Sequence, residues 1–189
     1  TFLCNRLTKI YNHILSIKVD SYYRGFKHLA FEDREKINFD HPSCFEFSLL
    51  YKQLNELMDN KKIKIPIYNY KDHTRSNNFY IINNKYNLIL VEGIFSLYRK
   101  KIRDLMTLNI FIDIPNDIRK SRRIHRDKKD RARSVESIIK QYHITVEPMY
   151  KKYVEPTKKY ADIIINKVDE SDSGYNQLIN RMNSITNEK

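Results

Sequence analysis

The stretch IPIYNYKDHTR, residues 65–75, gathers groups that could grip a flat polar ring. On a strand's two-residue period Tyr68 and Tyr70 project from one face, and His73 and Arg75 follow where the chain should turn. Two aromatic rings beside an imidazole and a guanidinium offer stacking surface and hydrogen-bond donors together, which suits a heteroaromatic ligand such as a nucleobase. Tyrosine is also an ordinary strand former, so the segment gains weight only from its company. Part of that company is acidic. Asp20 follows the apolar run LSIKV (15–19), and Glu92, then Gly93, close NLILV (87–91). Two carboxylates at strand ends with arginines nearby recur in phosphoryl transfer. One accepts a hydroxyl proton, one holds Mg²⁺, and the arginines offset charge on the transferring group. A candidate source of those arginines is RKSRRIHRDKKDRAR, residues 119–133, where arginine displaces the lysine preferred elsewhere. Its planar fork matches phosphate oxygens.

These residues need elements to position them. Phe2, Leu3, Leu7, Ile10 and Ile14 have helical spacing, and residues 15–19 read as a short buried strand. Ser43 and Glu46 have the spacing of a capping box ahead of a helix to about Met58. Strands near 63–70 and 78–82 form a hairpin with an exposed connection between them. NLILVEG (87–93), LNIFIDIP (108–115) and ADIII (161–165) are near-continuous apolar runs of the kind buried on both faces of a parallel sheet. Basic and amphipathic helices separate the last two, and a weak helix near 175–185 precedes a polar tail. Alternation of this kind implies a single α/β layered domain over residues 1–189, with ligands at the carboxyl ends of its strands.

Composition bounds the partners. A net charge of +12 suits polyanions, including nucleotides, although lysines such as Lys61, Lys62 and Lys64 read as solvated surface rather than a nucleic-acid footprint. Cys4 and Cys44 form neither a metal spacing nor a disulfide framework and read as free thiols of a reducing compartment. No apolar run is long enough to cross a bilayer and no signal-peptide core opens the chain, so a cytoplasmic protein is expected.

DSYYR (20–24), NFDHPSCFEF (38–47), IPIYNYKDHTR (65–75), LVEGIF (90–95), IRDL (102–105), RRIHRDKKDRAR (122–133), QY (141–142) and EPTKKYADIII (155–165) stand in the order and spacing of the uridine–cytidine kinases, which the chain resembles over nearly its entire length. The resemblance implies an α/β/α three-layer phosphate-loop kinase. It would carry a parallel sheet, a protruding nucleoside-binding hairpin (62–84) and a basic helical lid (119–133). It implies ATP-dependent phosphorylation of the 5′-hydroxyl of uridine or cytidine, with Mg²⁺, in pyrimidine salvage. Asp20 matches the acid that takes the hydroxyl proton, and Asp40 the acceptor of the ribose hydroxyls. Tyr23 belongs to the same wall. Tyr68 and His73 match the readers of the pyrimidine edge, and Tyr70 a ring that packs on it. Arg123 and Arg133 match sugar- and phosphate-proximal arginines, Arg126 and Arg131 face the ATP phosphates, and Gln141 is a further nucleoside contact. Glu92 and the hydroxyl of Thr1 match the Mg²⁺ site. His41 reads as a turn residue, His125 and His143 as solvated, and Tyr22 as either core or pocket. The family's tendency to form tetramers leaves a homo-oligomer open.

Two departures matter. The lid usually reads Arg-Gly-Arg, but Ala132 stands at the glycine, at a cost of about 1 kcal/mol if that position has positive φ. The family's G-x-x-x-x-G-K loop and the strand before it should precede Thr1. A sheet without that strand leaves unpaired groups costing about 1–3 kcal/mol each, against a total stability of about 5–15 kcal/mol. The expectation is that the natural protein carries this segment upstream and that the chain beginning at Thr1 is inactive. Two other readings remain: another kinase of the phosphoribulokinase group, which should lack the YNYKDHTR reader, or a non-catalytic nucleoside-binding or regulatory protein.

Overall fold

Short apolar runs alternating with helical periodicity become strands and helices in the expected order. The computed structural model describes residues 1–83, 85–131 and 133–187, and for residues 130, 131 and 187 the backbone alone. The chain forms two compact units, Thr1–Met106 and Thr107–Lys189.

The first unit runs α1 (Phe2–Ile10), β1 (Ile14–Lys18), a 3₁₀ turn (Val19–Tyr22), α2 (Phe31–Glu35), a 3₁₀ turn (Pro42–Cys44), α3 (Phe47–Met58), β2 (Ile63–Asn69), β3 (Thr74–Ile82), β4 (Leu88–Glu92) and α4 (Lys100–Arg103). Leu3 and Leu7, one turn apart on α1, are buried, as are Leu15 and Ile17 on alternate positions of β1. Leu50, Leu54 and Leu57 form the buried stripe of α3, each worth about 1.5–3 kcal/mol on burial. β1 and β4 pair in parallel from Ile14↔Leu88 to Lys18↔Glu92. β4 is half-buried along its whole length, not buried on both faces as its apolar run predicts. Among the described strands it is bonded on one edge only, to β1.

The capping-box reading of Ser43 is wrong. α3 begins four residues later, and Glu46, at its N-cap, makes no side-chain cap bond. Competing backbone bonds explain the shift. Arg24 N–H donates to Cys44 O (2.7 Å) and Glu46 N–H to Tyr22 O (2.8 Å), a bridge that pairs Tyr23 with Phe45 and holds Phe45 extended. The Ser43 hydroxyl and N–H are both taken by His41 Nδ1, at 2.7 and 3.1 Å, so His41 does serve the turn.

β2 and β3 form the antiparallel hairpin, with a bulge between Pro66 and Tyr68. Its connection is shorter than expected. Asn69 Oδ1 accepts the Lys71 N–H at 2.9 Å, and His73 takes the left-handed conformation (φ 49°), so four residues suffice to reverse the chain.

The second unit runs β5 (Ile110–Ile112), α5 (Asn116–Arg131), α6 (Val135–Gln141), a π-helical turn (Tyr142–Val146), α7 (Glu147–Met149), a second π-helical turn (Tyr150–Val154), a 3₁₀ segment (Glu155–Tyr160), β6 (Ile163–Ile165) and α8 (Ser173–Asn187). β5 and β6 pair in parallel, Ile110↔Ile163 to Ile112↔Ile165. Each π-helical turn ends two residues before a proline, Pro148 or Pro156, whose ring and missing N–H a regular helix would not accommodate. Asp172 caps α8 by accepting the Tyr175 N–H at 2.9 Å, and this bond first of all holds its carboxyl below the ordinary range. A Cβ on Gly174 would stand 2.0 Å from the Ile164 carbonyl oxygen, so glycine permits α8 to approach β6 this closely. Ala132 lies outside the described residues.

Candidate functional site

The first unit collects the acidic and aromatic candidates around Tyr23. Lys18 pairs with Glu92 across the parallel strands, and Asp20 follows two residues later in the 3₁₀ turn. Glu92 therefore ends β4, and Asp20 lies two residues past the end of the neighbouring β1. Gly93 makes the turn after Glu92. Its φ is 145°, and a Cβ there would lie 2.9 Å from Val19 Cβ. Thr1 Oγ1 donates to Glu92, 2.9 Å from Oε2 and 3.1 Å from Oε1, and the Thr1 backbone nitrogen is 2.8 Å from Oε2. A hydroxyl beside a carboxylate is a hard-oxygen pair that fits Mg²⁺, which takes one or two protein oxygens and leaves the rest to phosphates and water.

Tyr23 joins the sugar-side and base-side candidates. Its ring lies 4.0 Å from Phe45, 5.0 Å from Tyr68 and 5.7 Å from Phe39, and its hydroxyl donates to Phe39 O at 3.2 Å. Burial pushes that hydroxyl's pKa far up, and the nearby charges of Asp20, Asp40 and Tyr70 push the same way, so Tyr23 stays neutral. Asp40 sits in a turn set by Asn38, whose Oδ1 accepts the Asp40 N–H at 3.1 Å. The Cys44 thiol donates to Asn38 O at 3.3 Å and is pushed up to about 11, chiefly by burial.

On the hairpin Tyr68 is buried and Tyr70 is half exposed, their rings edge to face at 5.2 Å. Tyr70 belongs to the turn, because β2 ends at Asn69. His73 stacks on Phe39 at 5.1 Å with 16° between the planes. Among the described residues the buried Tyr68 hydroxyl has no hydrogen-bond partner. Leaving such a group unpaired costs about 1–3 kcal/mol, which a ligand could return. Arg75 turns away from this cluster. Its Nη1 reaches Glu46 Oε2 at 2.5 Å and its Nη2 the Tyr22 carbonyl at 3.0 Å, pinning the hairpin to the 3₁₀ turn that carries Asp20. Tyr22 is core, fully buried. Its hydroxyl donates to Gln53 Oε1 at 2.7 Å while Gln53 Nε2 donates to Lys64 O at 2.8 Å.

The second unit gathers Arg123, Arg126, Arg133 and Gln141 about one residue that sequence reasoning missed, Asp127. Gln141 Oε1 accepts from Arg133 Nη1 at 2.5 Å and from Arg123 Nη2 at 3.5 Å, so its carbonyl is engaged by arginines. The signal for Asp127 was available: an acid four residues after Arg123 within an otherwise basic helix. His125 and His143 are exposed, as read, and the side chain of Arg131 lies outside the described residues. Phe39 and Phe45 were likewise not singled out, because their place in the ring cluster depends on contacts distant in sequence.

Residues 2–173 match the model of the Phosphoribulokinase / Uridine kinase family. Over 174 residues the chain is 44% identical to a uridine kinase of Lactobacillus johnsonii, covering 92% of this chain and 82% of the other. It is also 44% identical over 175 residues to a uridine kinase of Streptococcus agalactiae serotype III, covering 93% and 83%. In three dimensions it matches a phosphoribulokinase of Rhodobacter spheroides with a TM-score of 0.64 at 13% identity, over 93% of this chain and 68% of that one, a likeness of fold. The expected α/β phosphate-loop kinase class is the one found. Among the described residues no helix is long and apolar enough to cross a membrane.

Proposed function

The chain belongs to the phosphoribulokinase / uridine kinase family, and from that premise we propose that it transfers the γ-phosphoryl of ATP to the 5′-hydroxyl of uridine or cytidine in cytoplasmic pyrimidine salvage. The observation that carries this reading is the convergence on Tyr23. Its ring lies 5.0 Å from Tyr68 and 5.7 Å from Phe39, the residue before Asp40, and it follows Asp20 by three residues. Groups suited to a sugar and groups suited to a base thus share one cluster.

In the proposed reaction Asp20 orients the 5′-oxygen and takes its proton, for which an ordinary carboxylate suffices when the transition state is loose. Asp40 accepts hydrogen bonds from the 2′- and 3′-hydroxyls, two acceptor oxygens for two neighbouring donors. The Tyr68 hydroxyl and His73 read the pyrimidine edge, and Tyr70 and Tyr23 supply ring surface. Thr1 and Glu92 would hold Mg²⁺. That ion, when bound, offsets charge on the phosphates. In the second unit Arg123, Arg126, Arg131 and Arg133 are the proposed phosphate-binding groups, and Gln141, engaged by Arg123 and Arg133, would contact nucleoside only alongside them.

The test is a competition assay on the complete protein with ATP and uridine, cytidine, ribulose 5-phosphate and pantothenate. Turnover of the two nucleosides alone supports the reading. Preference for ribulose 5-phosphate or pantothenate, or nucleoside binding without turnover, overturns it.

A further inference from the structure

Asp127 is a carboxylate with 0% of its surface exposed, in a helix otherwise dense in arginine and lysine. Burying an ion is costly unless neighbouring groups compensate it. Here the neighbours are guanidinium groups. Arg126 places Nε at 2.9 Å and Nη2 at 2.8 Å from Oδ1, while Arg123 Nε and Arg133 Nη1 each stand 3.6 Å from Oδ2. The backbone ties the same knot, since the Arg133 N–H donates to the Asp127 carbonyl at 3.3 Å. Arg133 continues outward to Gln141 Oε1 at 2.5 Å and Ser137 Oγ at 3.1 Å. Three guanidinium groups against one carboxylate leave an excess of two positive charges among these four side chains. Planar guanidinium forks gathered at one carboxylate match phosphate oxygens in shape and charge.

We infer that Asp127 is a positioning residue. It orders Arg123, Arg126 and Arg133 as one pre-assembled fork for a triphosphate, an inference that rests on the phosphotransfer reading above. Asp127 hydrogen-bonds one edge of Arg126, Nε and Nη2, and draws the other two arginines to within 3.6 Å of its second oxygen by charge rather than by a hydrogen bond. The entropy of fixing three long side chains is then lost on folding rather than on binding. Simple electrostatics acts in the opposite direction, because a carboxylate beside a polyanion repels it. The sign of a substitution therefore separates positioning from charge balance.

The experiment is calorimetric titration of inorganic tripolyphosphate into the complete protein at fixed ionic strength, for wild type, Asp127→Asn and Asp127→Glu. The expected result is wild-type binding that weakens about tenfold in Asp127→Asn, the worth of ordering one or two side chains. Asp127→Glu keeps the charge and moves it by one methylene, and positioning predicts weaker binding there too. It also decides the matter if Asp127→Asn does not fold. Equal or tighter binding by Asp127→Asn, an unchanged affinity in Asp127→Glu, or no binding of tripolyphosphate by wild type overturns the inference. Uridine titrated in parallel reports separately on the proposed function, since its failure to bind wild type leaves the tripolyphosphate result readable.

Discussion

Arg75 joins the hairpin bearing Tyr68 and His73 to the turn bearing Asp20, and its loss has a magnitude that can be worked from contacts. It makes two charge-assisted bonds, to Glu46 Oε2 at 2.5 Å and to the Tyr22 carbonyl at 3.0 Å. Such bonds are worth about 1.5–3 kcal/mol each when well buried. Glu46 retains 32% exposure and Arg75 18%, so water screens the pair, and the buried Arg75 Nε has no partner among the described residues. The Tyr22 carbonyl also stays bonded after substitution, because it accepts the Glu46 N–H at 2.8 Å. These three facts bring the pair down to about 2 kcal/mol in total, with about 1 kcal/mol of it as Arg75–Glu46 coupling. Arg75→Met, which keeps the apolar stem, should lower the unfolding midpoint by about 5 °C and weaken uridine binding. A double-mutant cycle with Glu46→Gln, followed by urea unfolding, measures the coupling. If Arg75→Met lies within about 0.5 kcal/mol of wild type and the coupling is indistinguishable from zero, the pair does not dock the hairpin.

Other substitutions test neighbouring parts of the account. Tyr68→Phe removes a buried hydroxyl that lacks a partner among the described residues, so thermal unfolding should show equal or higher stability while calorimetry shows uridine binding weakened about tenfold. Gly93→Ala sets a Cβ 2.9 Å from Val19 Cβ at φ 145°, and denaturant unfolding should report a loss of at least about 2 kcal/mol. The Cys44 thiol, pushed from 9.0 to about 11, should resist iodoacetamide at pH 8 and react about tenfold faster per pH unit up to that value. Its folded pKa is the higher one, so its contribution to stability is complete below the unfolded value near 9.0 and is lost as pH rises toward about 11. Rapid alkylation at pH 8 would place the thiol in solvent.

The sequence made some of this legible and hid the rest for physical reasons. Runs such as residues 87–93 and 161–165 announced strands by their continuous apolar side chains, although β4 is only half-buried, and the α1 and α3 stripes followed from helical spacing. The start of α3 was misread because the capping-box rule is local, whereas Arg24 and Glu46 commit the backbone of residues 44–46 to a partner twenty positions away. The hairpin turn was misplaced because Asn69 and His73 close it with side-chain and left-handed geometry that hydrophobic alternation does not encode. Within the candidate site Asp20 and Glu92 stood out from their places after apolar runs, whereas Asp40 came only from the family resemblance. Arg75 was read as a ligand donor because a charge beside aromatic residues says nothing about which way it turns. Asp127 was submerged in a basic run, and its importance lies in complete burial, a property of packing.

The central claim is that a carboxylate at Asp20 serves a nucleoside held by the hairpin, and steady-state kinetics of Asp20→Asn in the complete protein tests it most directly. With ATP and uridine varied independently, the account predicts a fall in kcat of about 10²–10⁴-fold while uridine affinity changes by no more than a few-fold. An Asp20→Asn variant that keeps its kcat, or loses uridine affinity in proportion to its rate, contradicts the account.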